Sequence, residues 1–383
     1  MFEYKYLSES HLKGFRSYKY SAIDTSPLSK YVMHPVWNNA VKIIPKWIAP
    51  NLLTFAGFIC MLVDVMLLMV LDYDCTASAN GSPAQIPREV FLLCGILLFL
   101  AYNLDGIDGK QARRLGVTGP LGEMFDHGLD SYIVFLIPFC LFSVFGRDEY
   151  SIPMFRGYLI VVSVVLNFYV SHWEKYNTGT LYLPWGYDLS MWAASGMFLV
   201  AGWYGPTVYK TYIFGSVTFV QGLEVAIHAT GLFTTLPVAV YNVHLSYKNK
   251  TGKMYPLIEA LRPIWPMLIM TGAMTSWASF FDIIEKDLRA FLLLFGTLFS
   301  NISSRLIVAE MSDSRCDTIC WINIPILGAV GTAVYLPQYE LTVLYTMTIA
   351  AICAHVHYGV CVVRQMCEYF KIQCFVVPKE KRK

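Results

Sequence analysis

Long apolar runs constrain this chain more than any other feature. Asn51–Leu71, Val90–Leu104 and Leu159–Val170 are stretches of aliphatic and aromatic residues with almost no charge. A run of about 20 such residues matches a hydrocarbon core of roughly 30 Å, and in lipid the backbone satisfies its own polar groups by forming helix. Of the 383 residues 56% are hydrophobic and only 15% charged, and the mean hydropathy is +0.48. That is too little charge to cover a soluble globule of this size. The chain therefore reads as an all-α polytopic membrane protein. About ten transmembrane helices are expected, near 51–72, 90–112, 121–145, 155–172, 187–204, 217–245, 260–280, 288–310, 317–336 and 340–364.

The opening residues MFEYKYLSES hold no apolar stretch, so the first span is expected to act as its own insertion signal. Between Trp37 and Trp47 a short amphipathic helix carrying Val41, Ile43, Ile44, Lys42 and Lys46 is expected to lie in the membrane interface. Lysine and arginine crowd the loops on the side of residues 1–50, Lys110, Arg113, Arg114, Lys175, Lys248 and Lys250. This bias places both termini and the 105–130 segment in the cytosol. The glycosylation sequon at Asn80 then falls on the opposite side and the one at Asn249 on the cytosolic side. The ten cysteines are scattered through apolar runs without C-x-x-C spacing and read as small buried hydrophobes. A net charge of +2 gives no reason to expect nucleic acid as a partner.

Charge appears where the apolar pattern least tolerates it. The segment Asn103–Asp130 reads NLDGIDGKQARRLGVTGPLGEMFDHGLD, with Asp105, Asp108, Asp126 and Asp130 at the ends of apolar helices. An ionised Asp at membrane depth costs about 2.5–3.5 kcal/mol, so four approach ~10 kcal/mol, comparable to a whole domain's stability. A cationic partner is required. Asp105, Asp108 and Ala112 share one helix face, and Gly122, Asp126 and Asp130 form a stripe on the next helix, with Gly119-Pro120 as the turn between them. A cage of carboxylate oxygens without soft ligands suits Mg²⁺ or Mn²⁺, and two ions fit four acids. Mg²⁺ commonly shares its site with phosphates, so a diphosphate is the natural guest. Gly106, Gly109 and Ala112 leave the helix face open to it, and Arg113 can hold phosphate bidentately. Arg114 points elsewhere.

Asp105, Asp108, Gly109, Ala112, Arg113, Gly122, Asp126 and Asp130 fill the pattern D-x-x-D-G-x-x-A-R-x₈-G-x-x-x-D-x-x-x-D without a departure. The chain thereby resembles the eukaryotic CDP-alcohol phosphotransferase family. The resemblance implies a six-helix catalytic core, here 51–245, preceded by a cytosolic segment 1–50 and followed by further helices over 246–364 and a basic tail 365–383. It implies Asp105, Asp108 and Asp126 as metal ligands with Asp130 in the cluster, and attack by a lipid hydroxyl with CMP leaving. It also implies a homodimer. His127 is the candidate general base, with Glu123 one turn earlier hydrogen-bonded to a ring nitrogen. The competing assignment makes His127 an outer partner of the metal and Asp130 the base. Asn51 stands where a helix N-cap belongs, and the family places this residue beside the cytidine.

The stretches Lys19–Ala22, Tyr31–Pro35, Ser171–Gly179, Leu183–Asp188 and His355–Val360 resemble the ethanolaminephosphotransferase branch. That branch implies CDP-ethanolamine and diacylglycerol, or an alkyl-acyl analogue, as substrates. Glu174 is a candidate for the ethanolamine ammonium, while Tyr176 and Trp185, with Trp173, could build an aromatic cage suited to choline. A choline or dual-specificity enzyme is thus the near alternative. A transporter with buried acids, or an intramembrane prenyltransferase, is the distant one. No internal repeat and no second Asp-rich motif accompanies 105–130. The closing Lys379–Lys383 resembles a dilysine retrieval signal, pointing to the endoplasmic reticulum or Golgi.

Overall fold

The computed structural model describes residues 3–183 and 186–381, and Trp185 therefore lies outside the described residues. Helices dominate. In chain order they are α1 (Glu9–Ser17), α2 (His34–Ile43), α3 (Pro50–Leu71), α4 (Arg88–Leu115), α5 (Pro120–Phe145), α6 (Met154–Thr178) and α7 (Gly186–Tyr204). They continue with α8 (Phe219–Thr230), α9 (Leu236–Asn249), α10 (Leu257–Leu261), α11 (Ile264–Phe280), α12 (Ile283–Lys286), α13 (Leu288–Met311), α14 (Asn323–Tyr335) and α15 (Glu340–Phe370). Two short pairings are the only sheet among the described residues. Ala22–Asp24 runs parallel to Leu181–Leu183, and Tyr212–Phe214 pairs antiparallel with Val217–Thr218.

All ten expected regions are helical, but they do not all have the length of a span. Among the described residues seven helices are long and apolar enough to cross a membrane, with α8 and α9 joined through a π-helical turn into Phe219–Asn249. Helices α7, α11 and α14 have 19, 17 and 13 residues. At 1.5 Å per residue, α14 reaches roughly 20 Å, short of a full crossing. The expected span 317–336 is cut at its start, because residues up to Ile322 form turns, and at its end by Leu336 before Pro337. Large apolar side chains face outward along the helices, such as Met66, Val70, Phe233 and Ile349, which is the surface a hydrocarbon environment requires.

Packing centres on one helix. Of the apolar stretch of α13, 89% is buried, against 11–50% for the other six spans. It touches α5, α15 and α6 along its length. Helix α3 lies against both α4 and α5 and holds the two aspartate-bearing helices in place. Helix α4 stops at Gly116, whose positive φ of 61° lets its N–H return to the carbonyls of Ala112 and Arg113. Pro120 then opens α5 at its first turn, so the two helices meet at their aspartate-bearing ends.

The segments outside the bundle close over that same end. Helix α2 ends at Ile43, since a residue before Pro45 is pushed out of the helical region, and Ile44 is extended. The expected interfacial helix is therefore shorter, and Trp47 lies beyond its end, 63% exposed. Trp37 is buried against α4 instead of facing an interface. Arg114 donates to the carbonyls of Val41 and Ile44 at 2.5 and 2.7 Å, which anchors the C-terminal end of α2. Helix α15 continues to Phe370, and the chain then folds back so that Val377 packs with Ala49 and Leu115. The ten cysteines are unpaired, and only Cys353 is exposed.

Candidate active site

Asp105 and Asp108 stand on one face of α4, and Asp126 projects toward them from α5. Ligand oxygens of the three lie within 4.8 Å of one another. Asp130, one turn further along α5, is outside that tight group but close enough to act electrostatically on Asp126. Thr54 of α3 donates its hydroxyl to Asp108, and Tyr187 of α7 donates to Asp105 at 3.0 Å. Oδ1 of Asp126 is buried and has no hydrogen-bond partner. Three carboxylates this close repel one another, and a buried unpaired oxygen is costly. Arg113 does not neutralise them by an ion pair: it is exposed, and its guanidinium lies over Gly109. The donor set is all oxygen, one carboxylate oxygen in it is buried and unsatisfied, and it fits a divalent hard cation.

The small residues expected to admit a nucleotide separate into two kinds. A Cβ at Gly106 would lie 2.3 Å from Cε2 of Trp37, so the indole already covers that position, and Trp37 Nε1 donates to Asn103 at 3.0 Å. Gly106 is a packing site for α2, contrary to expectation. Gly109 and Gly122 remain open; their nearest neighbours are the flexible end of Arg113 at 3.6 Å and Asn51 Oδ1 at 3.5 Å. Ala112 is half-buried on the same face. Asn51 is not the N-cap of α3, a place taken by Ala49 with Pro50 at the first turn. Its amide donates to the Cys374 carbonyl at 3.0 Å and fastens the C-terminal segment beside the site.

His127 follows Asp126 and is buried. Its Nε2 lies 3.9 Å from Asp126 Oδ2, and its Nδ1 has no partner. The expected bond from Glu123 to this ring is absent. Glu123 Oε1 accepts from Lys175 Nζ at 2.6 Å and from the Tyr18 hydroxyl at 2.5 Å. A charge-assisted bond to a buried ammonium outcompetes a neutral imidazole for that carboxylate. Burial pushes the Tyr18 phenol far up, so it stays protonated and keeps donating. The His127 ring instead packs edge-on against His172, centroids 5.2 Å apart.

Sequence reading missed the network behind Glu123. Lys175, 1% exposed, also reaches Glu310 of α13 at 2.5 Å, and Glu310 binds His172 Nδ1 at 3.2 Å. The available signal was a lysine and a glutamate inside apolar helices, which need partners; which partners they find depends on the fold. Thr54 and Tyr187 were missed for the same reason. The proposed headgroup residues are engaged elsewhere. Glu174 accepts from Asn242 at 2.6 Å, while Tyr176 stacks on Tyr255 and receives the N–H of Cys316 at 3.4 Å. His355 stacks on Tyr132, and His357 bonds the Tyr6 hydroxyl at 2.9 Å.

The sequence model of CDP-alcohol phosphatidyltransferases matches residues 47–236, the region that contributes all four aspartates. Human Ethanolaminephosphotransferase 1 is 42% identical over 98% of this chain and 96% of its own length. The chain belongs to the CDP-alcohol phosphatidyltransferase family. The mouse protein of the same name is equally similar, at 42% over the same shares, whereas Choline/ethanolaminephosphotransferase 1 of Arabidopsis thaliana is 27% identical over 98% of the chain. The family match ends before α13, so Glu310 comes from outside the matched region, yet it lies within hydrogen-bond reach of side chains inside it.

Proposed function

We propose that this protein transfers phosphoethanolamine from CDP-ethanolamine to the free hydroxyl of diacylglycerol or an alkyl-acylglycerol, giving phosphatidylethanolamine and CMP. The observation that carries this is a cluster of three aspartates in a membrane bundle whose sequence is 42% identical over nearly its full length to an ethanolaminephosphotransferase. The dual choline and ethanolamine reading has weaker support, from relatives near 27%. Asp105, Asp108 and Asp126, with Asp130, would hold two Mg²⁺ or Mn²⁺ ions. When bound, these supply charge neutralisation at the diphosphate and at the attacking and leaving oxygens.

The remaining work falls to the chain. Arg113, over the open Gly109, is placed to grip the diphosphate, and Ala112 and Gly122 leave room for it beside Asn51. The acceptor hydroxyl attacks the phosphorus distal to cytidine. A new O–P bond forms, and the bond to the CMP phosphate breaks with its electron pair leaving on CMP. The hydroxyl proton passes to His127, whose free ring nitrogen can accept it. The site faces the cytosol with both termini, in the endoplasmic reticulum or Golgi membrane, and the protein works as a homodimer. Purified protein should transfer label from CDP-ethanolamine to diacylglycerol only with Mg²⁺ or Mn²⁺ present. Equal transfer from CDP-choline would remove the selectivity, and transfer from neither would remove the reaction.

A further inference from the structure

We infer that Lys175, Glu310 and His172 form a positioning relay through which helix α13 sets the orientation of His127. Three observations converge. First, Lys175 is 1% exposed and bridges two carboxylates from different helices, Glu123 of α5 at 2.6 Å and Glu310 of α13 at 2.5 Å. A buried ammonium between two acids is fixed in place, because moving away from either leaves a desolvated charge. Second, Glu310 uses its other oxygen to bind His172 Nδ1, so the tautomer and plane of that ring are set by α13. Third, the His172 ring packs edge-on against His127 at 5.2 Å and 68°, while no hydrogen bond holds His127 Nδ1.

The orientation of His127 is therefore imposed by ring packing, and the packing ring is itself held by Glu310. Tyr18 closes the arrangement from the N-terminal segment by donating to Glu123 and lying beneath the Lys175 ammonium, 5.5 Å from its ring centroid. A cavity of about 140 Å³, lined by Tyr18, Lys175, Glu310 and Asp313 among others, adjoins Lys175 and Glu310. The relay runs from α13 to α6 to α5, and the ion pairs of Lys175, Glu310 and His172 go to one another and to Glu123, not to the aspartates. It rests on the reading of His127 as the base.

The experiment compares turnover per folded molecule in His127→Ala, His172→Phe and the charge-conserving pair Lys175→Met with Glu310→Gln. Folding is followed by detergent-solubilised melting and elution profile. The expected result for His172→Phe and for the pair is a kcat lowered about 10–100-fold, with KM for CDP-ethanolamine nearly unchanged. A network that only stabilises the fold would lower melting temperature and yield and leave kcat per folded molecule intact, and that result overturns the inference. The double variant keeps the net charge of the cluster, which guards against simple misfolding. If His127→Ala itself keeps turnover, the base assignment falls and takes the relay with it. If His127→Ala is slow while the other variants are fast, the relay alone fails.

Discussion

Two groups of buried charge meet on α5, and they are built on opposite principles. Asp105, Asp108 and Asp126 bring only negative charge together, with one oxygen left unpaired. Glu123, Lys175, Glu310 and His172 alternate acid and base, so that each carboxylate has a cationic or donor partner. The first group is incomplete without a ligand from outside. The second balances its charges within the chain. A site that must bind and release something is left electrostatically unsatisfied, whereas a site that must hold still is matched.

Removing acids from the unmatched cluster should have the largest effect on turnover and little on folding. Asp105→Ala, Asp108→Ala or Asp126→Ala is expected to abolish transfer while the protein stays membrane-inserted, measured by label transfer and detergent elution. Mg²⁺ at about 100 times its Kd should stabilise the wild type by about 2.7 kcal/mol, and this gain should vanish in Asp126→Asn. Stabilisation that survives the substitution would place the cation elsewhere.

The next effect tests the chemistry at the border of the two groups. His127→Ala should cost about 10²–10⁴ in kcat, the usual range for a positioned general base, with CDP-ethanolamine affinity little changed. If Asp130→Asn gives that pattern instead, the proton goes to Asp130.

Breaking the matched cluster should act on stability. Lys175→Met alone leaves Glu123 and Glu310 buried without their cation, and about 3–5 kcal/mol of stability should be lost. Adding Glu310→Gln should recover part of it. The comparison fails if Lys175→Met melts like the wild type.

The same contrast explains what could be read from the sequence. The aspartate cluster was legible because its members are close in sequence, and helical spacing alone puts Asp105 with Asp108 and Asp126 with Asp130 on shared faces. The network was not legible because Lys175 and Glu310 are brought together only when α13 inserts between α5 and α6. The i, i+4 spacing of Glu123 and His127 predicts a contact that holds for an isolated helix; in the fold a lysine from another helix takes the carboxylate. The apolar runs located the helices, but they do not say which is central. Helix α13 is no more hydropathic than its neighbours, with 1.6 against 1.4–2.4, and its burial follows from packing alone.

The smallest effect separates two glycines that the sequence treats alike. Gly106 and Gly109 both line the aspartate-bearing face of α4, but Trp37 fills the space over one and only a flexible guanidinium lies near the other. Gly106→Ala forces the indole away and breaks its bond to Asn103, so a loss of about 1–3 kcal/mol is expected, with CDP-ethanolamine affinity retained in the molecules that fold. Gly109→Ala should instead gain about 0.5–1 kcal/mol from helix propensity, and its cost should appear in KM, because the added methyl narrows the room for the diphosphate. Melting curves and KM measured on both variants decide the matter. If Gly106→Ala raises KM without lowering stability, the nucleotide reaches Gly106 and Trp37 moves aside when it binds.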